Sequence, residues 1–140
     1  MARVMAVDPG SRRVGVAVSD PTGTIAQPLS VVAAEPAGTL VERLAALARA
    51  HEVAELVVGL PRRMDGGQGP QARAARTLAG DLRRATGLPV TLVDERLTSV
   101  AAERALLAGG ASRARRRQLS DQVAAALILQ SHLDATRSRP

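Results

Sequence analysis

Cysteine, lysine, phenylalanine, tyrosine and tryptophan are all missing from this 140-residue chain. Without cysteine there is no disulfide, no thiolate nucleophile and no cysteine-ligated zinc, and the two histidines, His51 and His132, are too few for a histidine-rich metal site. Any metal must be held by oxygen. Without aromatic rings, the stacking of bases on Phe, Tyr or Trp does not operate, so recognition of a nucleic acid would run through phosphates, sugars, backbone amides and arginine planes. The longest apolar stretches are short and interrupted, and no signal-peptide-like apolar region follows Arg3. No membrane association is expected, and the expected location is cytoplasmic.

Every one of the 19 basic residues is arginine, against 13 acids, for a net charge of +6. Codon bias from a GC-rich genome accounts for part of this, since Ala, Gly and Pro are also abundant. Guanidinium forks match phosphate oxygens, however, and a basic balance of this kind favours a polyanionic partner. A hydrophobic content of 46% is enough for one core in a chain of this length and hardly for two, so residues 1–140 read as a single domain.

Along the chain, "RVMAVD", "RVGVAVSD" and "TIAQPLSVV" read as a three-strand meander, joined by turns at Pro9-Gly10 and Pro21-Thr22-Gly23. Thr39 and Glu42 have capping-box spacing, and Leu40, Leu44, Leu47 and Ala48 share one face of the helix that follows, up to His51. "ELVVGLP" has the all-apolar character of a strand buried in a parallel sheet. After the glycine-rich "RRMDGGQGP" come a helix from Pro70 to Arg84 closed by Gly87, a fifth strand in "LPVTLVDER", a capped helix in "TSVAAERALLAGG" and a last helix in "SDQVAAALILQSHLDA". Met64 to Gly69 and Gly109 to Arg117, which includes the basic run "RARRR", read as mobile loops. This order predicts an α/β fold with a mixed five-stranded sheet, three antiparallel strands and then parallel strands, flanked by helices.

Open sheets of this type bind ligands beyond the carboxyl ends of their parallel strands, and Asp8 and the Asp94-Glu95 pair end strands there. Asp121 precedes Ala125 and Ile128 by four and seven residues, on the helix face that would lean on the sheet. Each acid also has a purely structural reading: an Asx-turn for Asp8, a surface Glu-Arg pair for "DER", an N-cap near Ser120 for Asp121. Taken together, clustered carboxylates repel one another unless a divalent cation neutralises them, and an all-oxygen set selects magnesium or manganese. Two such ions can activate a water and stabilise the leaving oxygen in phosphodiester cleavage, and that chemistry needs roughly three or four acids on rigid elements. A Ser-His-Asp hydrolase is disfavoured, because each histidine lies in a helical stretch, where a solvated or capping role is the simpler reading.

"DPGSRRVGVAVSD", "VVGLPRRMDG", "DERLTS" and "SDQVAAALIL", in this order and spacing, resemble the YqgF family, also called RuvX, of Holliday-junction-resolvase-like or pre-16S rRNA nucleases. The resemblance covers nearly the whole chain. It implies an RNase H-like fold and a nuclease dependent on Mg2+ or Mn2+ that acts on structured nucleic acid, a ribosomal RNA precursor or branched DNA, as a monomer or homodimer. By position it implies Asp8, Glu95 and Asp121 as metal ligands, with Asp94 beside them in the catalytic set. Glu95 is favoured over Asp94 because its longer side chain better spans the gap toward Asp8. The superfamily's second acid commonly ends the fourth strand, where this chain has Gly59, so with strand order 3-2-1-4-5 Glu95 must lean across Gly59 over about 10 Å. Arg12, Arg13, Arg62, Arg63, Arg96, Arg113, Arg115, Arg116 and Arg117 would then supply the substrate groove. Arg63 stands where the family often has Asn, and Gln130 where it often has Glu. Those departures motivate a second reading, a catalytically vestigial nucleic-acid-binding factor of ribosome maturation. "DPGS" also looks like the first phosphate loop of the actin and sugar-kinase superfamily, but that fold closes two such domains around its nucleotide.

Overall fold

The structure is a computed structural model that describes residues 2–10, 12–61, 69–95 and 113–137, with the side chains of the last stretch described from 123 to 136. Its elements are β1 (Arg3–Pro9), β2 (Arg13–Ser19), β3 (Ala26–Ala33), α1 (Ala37–Ala50), β4 (Val53–Leu60), α2 (Pro70–Thr86), β5 (Val90–Asp94) and α3 (Arg113–Arg137). They form one sheet in the order β3-β2-β1-β4-β5. Pairing is antiparallel across β1, β2 and β3 and parallel from β1 through β4 to β5. This is the mixed five-stranded sheet that the chain order predicts. The expected helix in "TSVAAERALLAGG" lies outside the described residues.

Alternation along the central strands builds two cores. Met5 and Val7 of β1, Val14, Val16 and Val18 of β2, and Leu56, Val58 and Leu60 of β4 face α1 and α2, where they meet Leu44, Ala48, Ala72, Ala75, Leu78, Ala79 and Leu82. The opposite parity, Val4, Ala6, Ala17 and Val57, meets Ala124, Ala125, Ile128, Leu129 and Leu133 of α3. β1 and β4 are therefore covered on both faces, which is why their sequences are apolar runs rather than alternating ones. Small side chains dominate the α3 face and let the helix lie close against the strands.

Two sequence expectations are corrected. Thr39 is not an N-cap: α1 starts two residues earlier, at Ala37, and Pro36 caps it with no side-chain hydrogen bond. Thr39 Oγ1 instead donates to Pro36 O (3.1 Å) and accepts from Arg43 Nε (3.1 Å), while Arg43 Nη1 reaches Ala33 O at 2.7 Å. The Arg43 fork thus organises this helix start by satisfying carbonyls of the preceding chain. The basic run is the second correction, because α3 begins at Arg113 and "RARRR" forms its first turns rather than a loop. Ala and Arg are both strong helix formers, and the downstream segment packed on the sheet supplies a nucleus from which the helix extends. Asp121 accordingly sits more than two turns inside α3 and is not an N-cap.

The position of α3 is set at its carboxyl half by polar clamps. Gln130 Oε1 accepts from Ala26 N (2.9 Å), and its Nε2 donates to Thr24 O (3.0 Å) and Asp134 Oδ1 (2.9 Å). His132 Nε2 lies 3.0 Å from Glu55 Oε2 on β4. The loop that Gln130 holds is itself closed by Asp20, whose Oδ1 accepts from Thr24 N (2.8 Å) and Ile25 N (2.9 Å) and whose Oδ2 accepts from Thr22 Oγ1. The Ile25 backbone bond, followed by those of Thr22 and Thr24, holds the Asp20 carboxyl well below the usual carboxylate range.

Gln130→Glu replaces an amide donor to Thr24 O by an acceptor and sets it against Asp134, so it is expected to destabilise the fold by about 1–3 kcal/mol in urea denaturation at pH 7. Because the Asp20 pKa is depressed on folding, its contribution is full above the unfolded value of about 3.9 and is lost as pH falls through the folded value. The stability gap between wild type and Asp20→Ala should therefore be constant between pH 5 and 7, on the order of one carboxylate titration range above that value, and should narrow in stronger acid. A gap independent of pH down to acid unfolding would contradict this.

Candidate active site at the carboxyl edge of the sheet

Asp8 is the last residue but one of β1, at the edge where the chain turns past Gly10 into β2. That turn is tight enough to exclude a side chain: a Cβ on Gly10 would lie 2.3 Å from the Arg13 carbonyl oxygen. Asp8 belongs to the same parity as Val4 and Ala6 and so faces α3, where it is only 5% exposed. Its register partner on β2 is Gly15. On the other side Val7 pairs with Val58, so the next step of the register sets Asp8 beside Gly59 of β4. The buried carboxylate thus has bare backbone on both neighbouring strands.

Glu95 follows β5 directly. It shares the parity of Val93, which packs on the α3 core and pairs with Gly59, whereas Asp94 shares the parity of Leu92, which packs toward α1 and α2. Alternation therefore separates the two adjacent acids onto opposite faces. The geometry at Gly59 reports the result. The Cβ position of Gly59 lies 3.3 Å from Glu95 Oε1 and 3.6 Å from Asp8 Oδ1, with Ile128 Cδ1 at 2.7 Å closing the spot from above. Glu95 does lean across β4, and two carboxylates converge over a glycine.

The remaining expected residues divide by location. In α3, position 121 lies one turn before Ala125 and two before Ile128, on the stripe that faces the sheet, but the Asp121 side chain lies outside the described residues. The side chains of Arg113, Arg115, Arg116 and Arg117 also lie outside them, as do Arg62, Arg63 and Arg96 altogether. Arg12 is exposed at the β1–β2 turn, and its carbonyl accepts from Ala34 N (2.9 Å). Arg13 opens β2 two residues before Gly15, which places it on the Asp8 face of the same edge. A further cationic group escaped the sequence reading: Arg73, Arg76, Arg83 and Arg84 are exposed on α2, across the sheet from Asp8. Their three- and seven-residue spacings are the helical-face signal that would have found them.

The profile described as "RuvX: Holliday junction resolvase" matches residues 2–135. The chain belongs to the RuvX family. Relatives named "Putative pre-16S rRNA nuclease" include one from Moorella thermoacetica, 51% identical over 94% of each chain. Another, from Pelotomaculum thermopropionicum, is 50% identical over 99% of this chain and 90% of its own. Among solved structures, T. thermophilus RuvC in complex with Holliday junction substrate matches with a TM-score of 0.62 at 17% identity, covering 98% of this chain and 96% of that one. The Fowlpox virus resolvase with substrate Holliday junction DNA matches at 0.56 and 8% identity, covering 96% and 98%. These structures establish the RNase H-like fold of the RuvX chain.

Residues of this RuvX chain also explain one departure from the family pattern. Gln130 clamps α3 at Thr24 and Ala26, and Ala26 pairs with Ser19 at the end of the sheet away from Asp8, so this position is remote from the acid edge. Among the described residues no three His, Cys, Asp or Glu group so as to hold a metal ion. Two of the three expected acids do converge, and the space they share is one that any side chain at residue 59 would fill. Hard carboxylate oxygens that converge from two strand ends beside a residue with no side chain fit a divalent cation.

In the absence of metal, Glu95→Gln is expected to stabilise the protein by about 0.5–2 kcal/mol, because it removes one of two converging like charges. With Mn2+ the order should reverse, wild type gaining stability and Glu95→Gln not; urea denaturation with and without the ion reads both.

Proposed function

We propose that this chain is a divalent-metal-dependent nuclease that hydrolyses phosphodiester bonds in structured nucleic acid, with 5′-end maturation of a 16S ribosomal RNA precursor as its principal task and branched DNA as a second class of substrate. Convergence of Asp8 and Glu95 over Gly59 is the observation that carries the reading. Near-full-length identity of about half to the rRNA-nuclease relatives supports the substrate class.

In this reading Asp8, Glu95 and Asp121 hold Mg2+ or Mn2+. When bound, the ion lowers the pKa of a water and neutralises charge developing on the phosphoryl oxygens. The chain's own part is positional. β1 and the β5 end are fixed by the sheet, so the two carboxylates need not reorganise on binding. Asp8 is withdrawn from solvent, which strengthens its attraction for a cation. The absence of a side chain at Gly59 lets the Glu95 carboxylate reach over β4 toward Asp8. Arg12 and Arg13, on the turn that borders the site, hold the phosphate backbone, joined by Arg62, Arg63, Arg96 and the arginines at the start of α3.

With the Gln130 departure assigned to a structural clamp, a vestigial site loses one of its two motives. The deciding assay is Mn2+-dependent cleavage of matched RNA and DNA panels, including a 5′-extended ribosomal precursor and a four-way junction, by wild type and Asp8→Asn. Cleavage by wild type alone is expected, with a loss in Asp8→Asn of at least about a hundredfold. Equal inactivity of the two proteins with binding retained would sink the nuclease reading in favour of a factor that holds RNA without cutting it. Arg13→Ala should leave the metal requirement unchanged and flatten the salt dependence of substrate binding by about one unit of log-log slope.

A further inference from the structure

We infer that Gly59 is a positioning residue of the metal site: its missing side chain is the opening through which Glu95 crosses β4 to reach Asp8. The inference rests on the metal-dependent reading above and goes beyond it by assigning a role to a residue that offers no ligand of its own. Asp8 stands on β1 and Glu95 just beyond β5, with β4 between them. A carboxylate on β5 meets one on β1 only by passing over the backbone of β4 at the edge. Gly59 is the β4 residue at that crossing, since it pairs with Val93 and follows Val58, the partner of Val7.

The distances show how narrow the opening is. A methyl at residue 59 would be in ordinary contact with Asp8 Oδ1 at 3.6 Å, and tight against Glu95 Oε1 at 3.3 Å. Its worst collision, 2.7 Å, is with Ile128 Cδ1, the end of an aliphatic side chain that is fully buried in the α3 core. Two costs are therefore superimposed in any substitution, one of packing against α3 and one of displacing Glu95. They are separable. Ile128→Val removes Cδ1, the atom of the worst collision, so in a Gly59→Ala/Ile128→Val protein the nearest atoms known to remain are the two carboxylate oxygens. A shift of Glu95 by a few tenths of an ångström matters because oxygen ligands to small divalent ions are held to about ±0.2 Å.

The same logic gives Glu95 a length requirement. Aspartate at residue 95 keeps the charge and the hydrogen-bonding oxygens but is one methylene shorter, and it reaches less far over β4. A site that used any carboxylate near the edge would tolerate the change, whereas one built on the crossing would not.

The test is Mn2+ affinity, read from the metal-induced rise in melting temperature and from calorimetric titration, on the full chain. Wild type is expected to bind and Asp8→Asn not to; if wild type shows no binding, or Asp8→Asn binds equally, the metal-site reading itself has failed. Given that first result, Gly59→Ala/Ile128→Val is expected to melt within a few degrees of Ile128→Val without metal. It should bind Mn2+ about 10–100-fold more weakly than Ile128→Val does, the scale seen when groups that orient ligands are altered. Glu95→Asp is expected to lose affinity by a similar factor at unchanged metal-free stability. Binding of Mn2+ by the double variant as tight as by Ile128→Val, or by Glu95→Asp as tight as by wild type, would overturn the role of the crossing. Should the double variant not fold, Glu95→Asp decides alone.

Discussion

Parallel pairing of β1 with β4 is the constraint on which the rest of the structure depends. Its register runs Met5 with Leu56, Ala6 with Val57 and Val7 with Val58, and both strands are covered on their two faces. A slip of one residue would turn every side chain to the opposite face, exchanging the large residues that fill the α1/α2 core for the small ones that admit α3. The cost of that exchange holds the register firmly. Asp8 and Gly59 come to lie side by side as a consequence of packing several residues away from them.

Asymmetry between the two cores then explains why the acids meet where they do. Leucines and valines fill the α1/α2 side. The α3 side is shallow, built on Ala6, Ala17 and the glycines at 15 and 59, and a long helix with Ala124 and Ala125 at its contact lies close to the sheet. A carboxylate on that face is buried by the helix without being crowded by neighbouring side chains. On the other face it would compete with Leu60 and the side chains of α2. Polar clamps at the far half of α3, Gln130 to the Thr24–Ala26 segment and His132 to Glu55, fix how far the helix slides along the sheet. They hold the helix on the sheet from a point remote from the acid edge.

Charge shows a similar division of labour. The two acids at opposite ends of the β2 hairpin illustrate it: Asp20 is spent on closing a turn through backbone and threonine donors, while Asp8 points over the neighbouring strand toward Glu95. Both stand at a strand end, and each precedes a proline. Local sequence does not distinguish them. What differs is the neighbour each strand pairing supplies.

Much was legible in the residues themselves. Valine-rich runs, the turns at Pro9-Gly10 and Pro21-Thr22-Gly23, and Gly87 as a left-handed cap at the end of α2 all follow from local propensity, which acts over a few bonds and is written in consecutive residues. The strand order and the motifs pointing to the RuvX family were legible too. The start of α1 was not, because an arginine fork binding carbonyls of the preceding chain replaced the capping box that Thr39 and Glu42 suggest. The start of α3 at Arg113 also escaped, since a run of arginines reads as a loop until a packed helix extends through it. The choice of Glu95 over Asp94 was legible from side-chain length, but the placing of the two acids on opposite faces, the structural role of Gln130 and the distances at Gly59 all required strands and helices distant in sequence to be brought together. Sequence by itself determined which elements form and which chemical groups the chain owns. Only tertiary structure decided which of those groups meet, because that depends on register and on side-chain parity across paired strands, and neither is a property of any one segment.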